Sequence, residues 1–279
     1  MDGRYVVGVD DSLPSRAALS WAIARAHNDG RNIALVHVEE PDGGMMGADY
    51  AQLEARAGAE LLSRTAADLQ QAGLTVTESL LEGPVPWALA HFANADDIVI
   101  VGTHKTGFLH GRVLGSRSVQ IAAAVPCTVA VIPDVDLRFR RGVVAGVDRI
   151  GTAASVARTA AHEADSRGEE LLLVQADVQA GVAPEGLALT AAVAAARSEF
   201  PRLIIRSKTS TRSPAEALLD AARDKGLLVL GPGSNEPTRS PIGSVMHDVL
   251  LNVNAPVIIA RPAEDRQLVG PVADAGITV

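Results

Sequence analysis

Three features of the sequence predict an α/β protein built as two tandem open, mostly parallel five-stranded sheets with helices on both faces. Short Val-, Ile- and Leu-rich runs alternate with longer Ala-rich stretches, the pattern of strand–helix–strand units. Apolar residues make up 47% of the 279 positions but aromatics only 3%. The cores must therefore be Val, Leu, Ile and Ala, which suits buried parallel strands covered by Ala-rich helices. The whole pattern also occurs twice. "YVVGVDDS" (5–12) pairs with "VVAGVDRI" (143–150), "IALVHVEE" (33–40) with "LLLVQADV" (171–178), and "DIVIVGTH" (97–104) with "GLLVLGPG" (226–233). "VLGSRS" (113–118) pairs with "PIGSVM" (241–246), and "AVPCTVAVIP" (124–133) with "NAPVIIARP" (254–262), in the same order.

The elements follow in turn. Arg4 to Asp10 reads as the first strand; Asp11 and Ser12 can cap the helix that follows, and Pro14 suits its first turn. That helix closes at Gly30. Asn32–Glu39 is the second strand, and 50–73 a long helix ending at Gly73. Thr75–Leu81 is a more exposed third strand, followed by a helix over 85–95. Asp97–Gly102 is a buried strand, Ser116–Ala124 a helix and Cys127–Ile132 the last strand. The second half repeats this with a shorter second helix near Glu185–Glu199. The charged "DVDLRFRRG" (134–142) divides the chain, giving domains 1–137 and 138–262 and a tail, 263–279, with no clear period.

Composition narrows the function. A net charge of −8 with no basic tract argues against nucleic-acid binding. No run approaches the ~20 apolar residues of a membrane span, and the first residues lack a signal-peptide pattern; a cytoplasmic location is expected. The single cysteine, Cys127, permits no disulfide within the chain and lies in the apolar run "CTVAVI", where a small buried residue is the simplest reading.

Ligands in such sheets bind beyond the carboxyl ends of the strands. In the first half those ends are Asp10, Val38, Glu82 and Gly102. Gly102 opens "GTHKTGFLHGRVLGSRS", a loop that leads into a helix start at Ser116. Free amides and the positive end of the helix form an anion site there, to which Ser116 and Ser118 add hydroxyls. Glycine at 102 lets backbone approach a ligand and tolerates positive φ. Asp10 suits a Mg²⁺ ligand or an acceptor for ribose hydroxyls. Spacing alone leaves this nucleotide reading about even with plain structural roles: a turn for Gly102, helix caps for Ser116 and Asp10, a surface loop for His104. Neither a Walker A loop nor a GxGxxG fingerprint is present. His104 and His110 lack an orienting carboxylate and make a weak acid–base pair.

These residues resemble the universal stress protein family, over nearly all of the chain up to Pro262. The family's hallmark is a G-x2-G-x9-G-(S/T) loop after the fourth strand, paired with an aspartate ending the first. Here it runs Gly102, Thr103, His104, Lys105, nine residues, Gly115, Ser116, with Asp10 as the aspartate; "VPCTVAVI" matches the usual ending. The resemblance implies an adenine nucleotide alpha hydrolase-like fold. It also implies an ATP-binding protein of stress adaptation (starvation, oxygen limitation or oxidative stress) with at most slow, incidental ATP hydrolysis.

Carried over, the family pattern places adenine and ribose near Gly8, Val9, Asp10 and Val38. Phosphates fall near Gly102, His104, Lys105, Gly107, Gly115, Ser116, Arg117 and Ser118, with Mg²⁺ at Asp10. Lys105 replaces the second hallmark glycine and either supplies charge to a phosphate or spoils the site. The second copy keeps Gly146, Val147, Asp148, Gly231, Gly233, Gly243 and Ser244. It has Ser234 for the second hallmark glycine, Pro232 without an N–H, and an interval shorter by one residue, so its binding ranks below the first. Two further readings stand beside ATP: a cAMP-binding member, and an interaction module with decayed sites. In the latter the halves pair internally through Cys127–Ile132 and Val257–Ala260, imitating a homodimer. Association of two whole chains stays open.

Overall fold

The computed structural model describes residues 3–40, 48–103, 117–148, 150–176, 186–233 and 243–261. In chain order the first half contains β1 (Tyr5–Gly8), α1 (Leu13–Asp29), β2 (Ile33–Glu39), α2 (Ala48–Gln71) and β3 (Val76–Glu82). It continues with α3 (Val85–Phe92), β4 (Ile98–Thr103), α4 (Arg117–Ala124) and β5 (Thr128–Pro133). The second half contains β6 (Val143–Gly146), α5 (Ile150–Arg167), β7 (Leu171–Ala176), α6 (Leu187–Glu199) and β8 (Ile205–Ser210). It ends with α7 (Pro214–Ala221), β9 (Leu227–Leu230), α8 (Ser244–Leu251) and β10 (Val257–Ile259).

All ten strands form one sheet in the order β3-β2-β1-β4-β5-β10-β9-β6-β7-β8. Each half is parallel throughout and has the same internal order, so the sheet is two copies of one five-stranded pattern meeting at their last strands. There β10 runs antiparallel to β5, with Val257 opposite Val131, Ile258 opposite Ala130 and Ile259 opposite Val129. The central strands are buried on both faces, which explains their unbroken apolar runs. The edge strands β3 ("VTESLLE") and β8 ("IRSKTS") are mostly exposed and polar, as edges that do not invite another chain should be.

Helices cover both faces. On one, Ala18, Ala22 and Ala26 of α1 and Ala157, Ala160 and Ala164 of α5 are almost fully buried over the sheet, flanked by α2 and α6. On the other lie α3, α4, α7 and α8. Alanine at these positions lets helices sit close to the strands. Ser12 caps α1 by accepting from Ser15 N at 3.3 Å, with Pro14 in the first turn. Gly30 ends the helix at φ 74°, a left-handed conformation that glycine adopts without strain.

Side chains also cross the join. Arg25 on α1 makes a two-pronged pair with Glu163 on α5, at 2.6 and 2.5 Å. Arg261, just past β10, donates to the carbonyls of Val125 (2.6 Å) and Ala122 (2.5 Å), capping the end of α4 from the other half. Within the second half, Arg140 donates to the carbonyl of Asn254. Cys127 is fully buried, and burial pushes its thiol up to about 11; it fills space as the sequence suggested.

Candidate functional site

The first cleft lies at the carboxyl edge of β1, β2 and β4. The residues from the sequence reading that meet there are Gly8, Val9, Asp10, Val38, Gly102, Arg117 and Ser118. His104, Lys105, Gly107, Gly115 and Ser116 lie outside the described residues, as does His110. The cleft has a volume of about 120 Å³.

Each residue is held by local hydrogen bonding. Asp10 follows β1 and is exposed; its Oδ1 accepts from Ser12 N at 3.1 Å, and its own N–H donates to Ser15 Oγ at 3.1 Å. Ser15 Oγ in turn donates to the Gly8 carbonyl at 3.3 Å. The carboxylate is therefore oriented while still open to solvent. Its neighbour Asp11 has φ 62°, a conformation that Asp tolerates better than most residues. That twist sends its carboxylate away, to Arg16 at 2.9 Å and Arg64 at 3.8 Å. Of the two aspartates in "VDDS", only Asp10 lines the cleft.

Gly102 corrects the reason given for it. Its φ is not positive, and the close approach it permits is to the protein's own helix. A Cβ there would lie 2.2 Å from the backbone C and O of Pro14 and 2.6 Å from Ser15 N. Glycine at 102 thus seats the end of β4 against the first turn of α1, which indirectly fixes Asp10.

Ser118 is buried in the first turn of α4, at the cleft. Arg117 also lines the cleft, but its guanidinium is paired with Glu40, whose other oxygen accepts from Val85 N at 3.4 Å. Glu40 thus ties β2 to α3 and to the start of α4. Sequence reading missed this residue and also His37. His37 Nδ1 lies 2.7 Å from the Val9 carbonyl, so that nitrogen carries the proton and donates. The ring packs against Gly58 of α2, where a Cβ would come within 2.6 Å of it. The available signal was a histidine among apolar strand residues, next to Val38.

For Mg²⁺, Asp10 is one carboxylate, and no group of three or more His, Cys, Asp or Glu among the described residues could hold an ion. A lone carboxylate suits Mg²⁺ that arrives with phosphates and keeps its waters, so the residues fit a nucleotide-borne ion rather than a resident one.

The second cleft repeats the position at β6, β7 and β9. Gly146, Val147, Asp148, Gly231, Gly233, Gly243 and Ser244 all meet there, in a volume of about 270 Å³. Gly233 has φ 86°, and a Cβ on it would lie 3.2 Å from Gly243 N. The two ends of the intervening loop are thus in close backbone contact.

Parallel strands in each half, covered by helices on both faces and with a cleft at their carboxyl edge, define an α/β protein of the doubly wound class. Residues 2–133 match the model of the universal stress protein family. It is 28% identical to a universal stress protein of Mycolicibacterium smegmatis over 92% of this chain and 96% of the relative. A universal stress protein of Mycobacterium tuberculosis strain H37Rv is 27% identical over the same shares. The crystal structure of a universal stress protein from Archaeoglobus fulgidus superimposes with a TM-score of 0.73 at 15% identity, over 94% of this chain and 97% of that one. Among the described residues no helix is long and apolar enough to cross a membrane.

Proposed function

We propose that this protein is a nucleotide-responsive regulator of stress adaptation that holds one ATP, with Mg²⁺, in its first cleft and does not turn it over at a useful rate. The observation that carries this reading is the convergence of Asp10, the buried Ser118 at the start of α4, and the Val9 and Val38 walls in one cleft. Val9 and Val38 flank the adenine and ribose, Asp10 takes the ribose hydroxyls or the Mg²⁺, and the start of α4 faces the phosphates.

Among the described residues lining the cleft, Arg117 is the cation available to them. Its pair with Glu40 is exposed, 66% on the Arg117 side chain and 38% on the Glu40 side. Pairs of that kind contribute about 0–1 kcal/mol, so a phosphate can take Arg117 from Glu40 at little cost. Binding would then loosen the tie from β2 to α4 and tighten the cleft, a change a partner protein can sense. ATP at about 100 times its Kd would add about 2.7 kcal/mol of stability by linkage. The chain acts as a pair of domains, 1–137 and 138–262, joined through β5 and β10.

Mass spectrometry of ligand released from the purified protein tests this. ATP near one per chain supports it. Recovery of cAMP instead would assign the site to a cyclic nucleotide. Nucleotide-free protein that also fails to bind added ATP would leave the paired halves as an interaction module.

A further inference from the structure

The two clefts occupy equivalent places in the repeated fold but have different chemistry. The repeat aligns Gly115-Ser116-Arg117-Ser118 with Gly243-Ser244-Val245-Met246. Where the first cleft has Arg117 and Ser118, the second is lined by Val245 and Met246. The cation and the buried hydroxyl have both become apolar. Asp148 carries the one charge among the described lining residues of the second cleft, and it is negative. A phosphate there would face a carboxylate, and the position of Arg117 is taken by Val245.

The backbone has changed in the same direction. Pro232 has no N–H to offer, and Gly233 is folded against Gly243 at the start of α8. The walls are apolar: Leu218 and Leu230 fold over Gly146, where a Cβ would meet them at 2.9 and 3.1 Å. The cleft is also the larger, about 270 Å³ against about 120 Å³. An apolar cavity of about 150 Å³ takes a benzene-sized guest, so this one has room for a second ring.

We propose that the second cleft binds a neutral, apolar compound of about two rings, and that it is no longer a phosphate site. The two halves then read different molecules, an anionic nucleotide in the first and an uncharged ring compound in the second. Val245 and Met246 withdraw the cation and the hydroxyl that the first cleft offers an anion, and they supply contact area to the ring.

The probe is the neutral dye N-phenyl-1-naphthylamine, whose emission rises in apolar surroundings, titrated into the full chain. Saturable binding of one dye per chain, unchanged by millimolar ATP, is the expected result. Val245→Arg, which restores the first-half cation, and Thr152→Phe, which fills the cleft from its rim, should each weaken the dye by about tenfold or more. Both are read on protein whose circular dichroism matches the parent. If Val245→Arg does not fold, Thr152→Phe carries the test. Dye emission that does not saturate, dye displaced by ATP in proportion to nucleotide bound, or affinity untouched by a folded variant would overturn the proposal.

Discussion

Replacing Glu163 with Ala should expose how much of this molecule depends on one contact across its join. Glu163 and Arg25 have side chains only 6% and 16% exposed, and they meet through two short hydrogen bonds. Burial alone would lower the arginine's pKa, but the hydrogen bonds and charge of Glu163 outweigh it and the pKa is raised. Removing the carboxylate leaves that cation buried. Arg167, 3.6 Å from Glu163, loses the same partner. The Trp21 ring at 4.5 Å and the Tyr5 hydroxyl at 3.3 Å remain beside Arg25 and soften the loss. Breaking a buried pair from one side costs about 3–5 kcal/mol. At about 2–4 °C per kcal/mol for a chain of this size, the melting temperature should fall by about 6–20 °C. The double variant Arg25→Met, Glu163→Leu removes both charges and keeps the volume, so it should recover most of that fall. Thermal melts followed by circular dichroism at neutral pH decide the matter. If Glu163→Ala melts with the parent, or if the double variant is as weak as the single, the pair does not hold the halves together.

Two further perturbations follow from the same geometry. Gly102→Ala places a methyl group 2.2 Å from the Pro14 backbone. Backbone must therefore move, at a cost of about 1–3 kcal/mol or more; a melting temperature equal to the parent's would show that β4 does not press on α1 there. On the alkaline side, burial raises Cys127 from 9.0 to about 11 and Tyr5 from 10.0 to about 12. A raised folded pKa means the native state keeps its proton longer than the unfolded chain does. The stabilisation is whole below the unfolded pKa and is lost as pH rises through the folded one. Stability should thus decline between about pH 9 and 12, and Cys127→Ala should flatten the pH 9–11 part of that decline. An unchanged slope in the variant would remove the thiol from the account.

Much of the fold was legible because its cues are local. Ser12, Pro14 and Gly30 mark the ends of α1 by the chemistry of unpaired amides and left-handed backbone, and each sits where that chemistry requires. Strand boundaries moved by one or two residues, since β5 starts at Thr128 and β10 stops at Ile259. The contacts that were not legible are the ones made far along the chain. Nothing in the sequence pairs Arg25 with Glu163, 138 residues away, or sends Arg261 to the end of α4. The cleft divides in the same way. Asp10 and Ser118 could be placed because strand ends and helix starts were recognisable. Glu40 and His37 could not, because their roles depend on α3, α4 and α2 folding back over the strands. Gly102 was singled out for approach to a ligand, and the pattern gave no sign of its close approach to Pro14, which depends on α1 folding back over β4.

Isothermal titration of the purified full chain with ATP and Mg²⁺ tests the central claim most directly. One ATP bound per chain, lost in Asp10→Ala while the melting temperature of the free protein is kept, is the predicted result. Two ATP per chain would contradict the division of labour between the clefts. No heat and no thermal shift at millimolar ATP would contradict the nucleotide site itself.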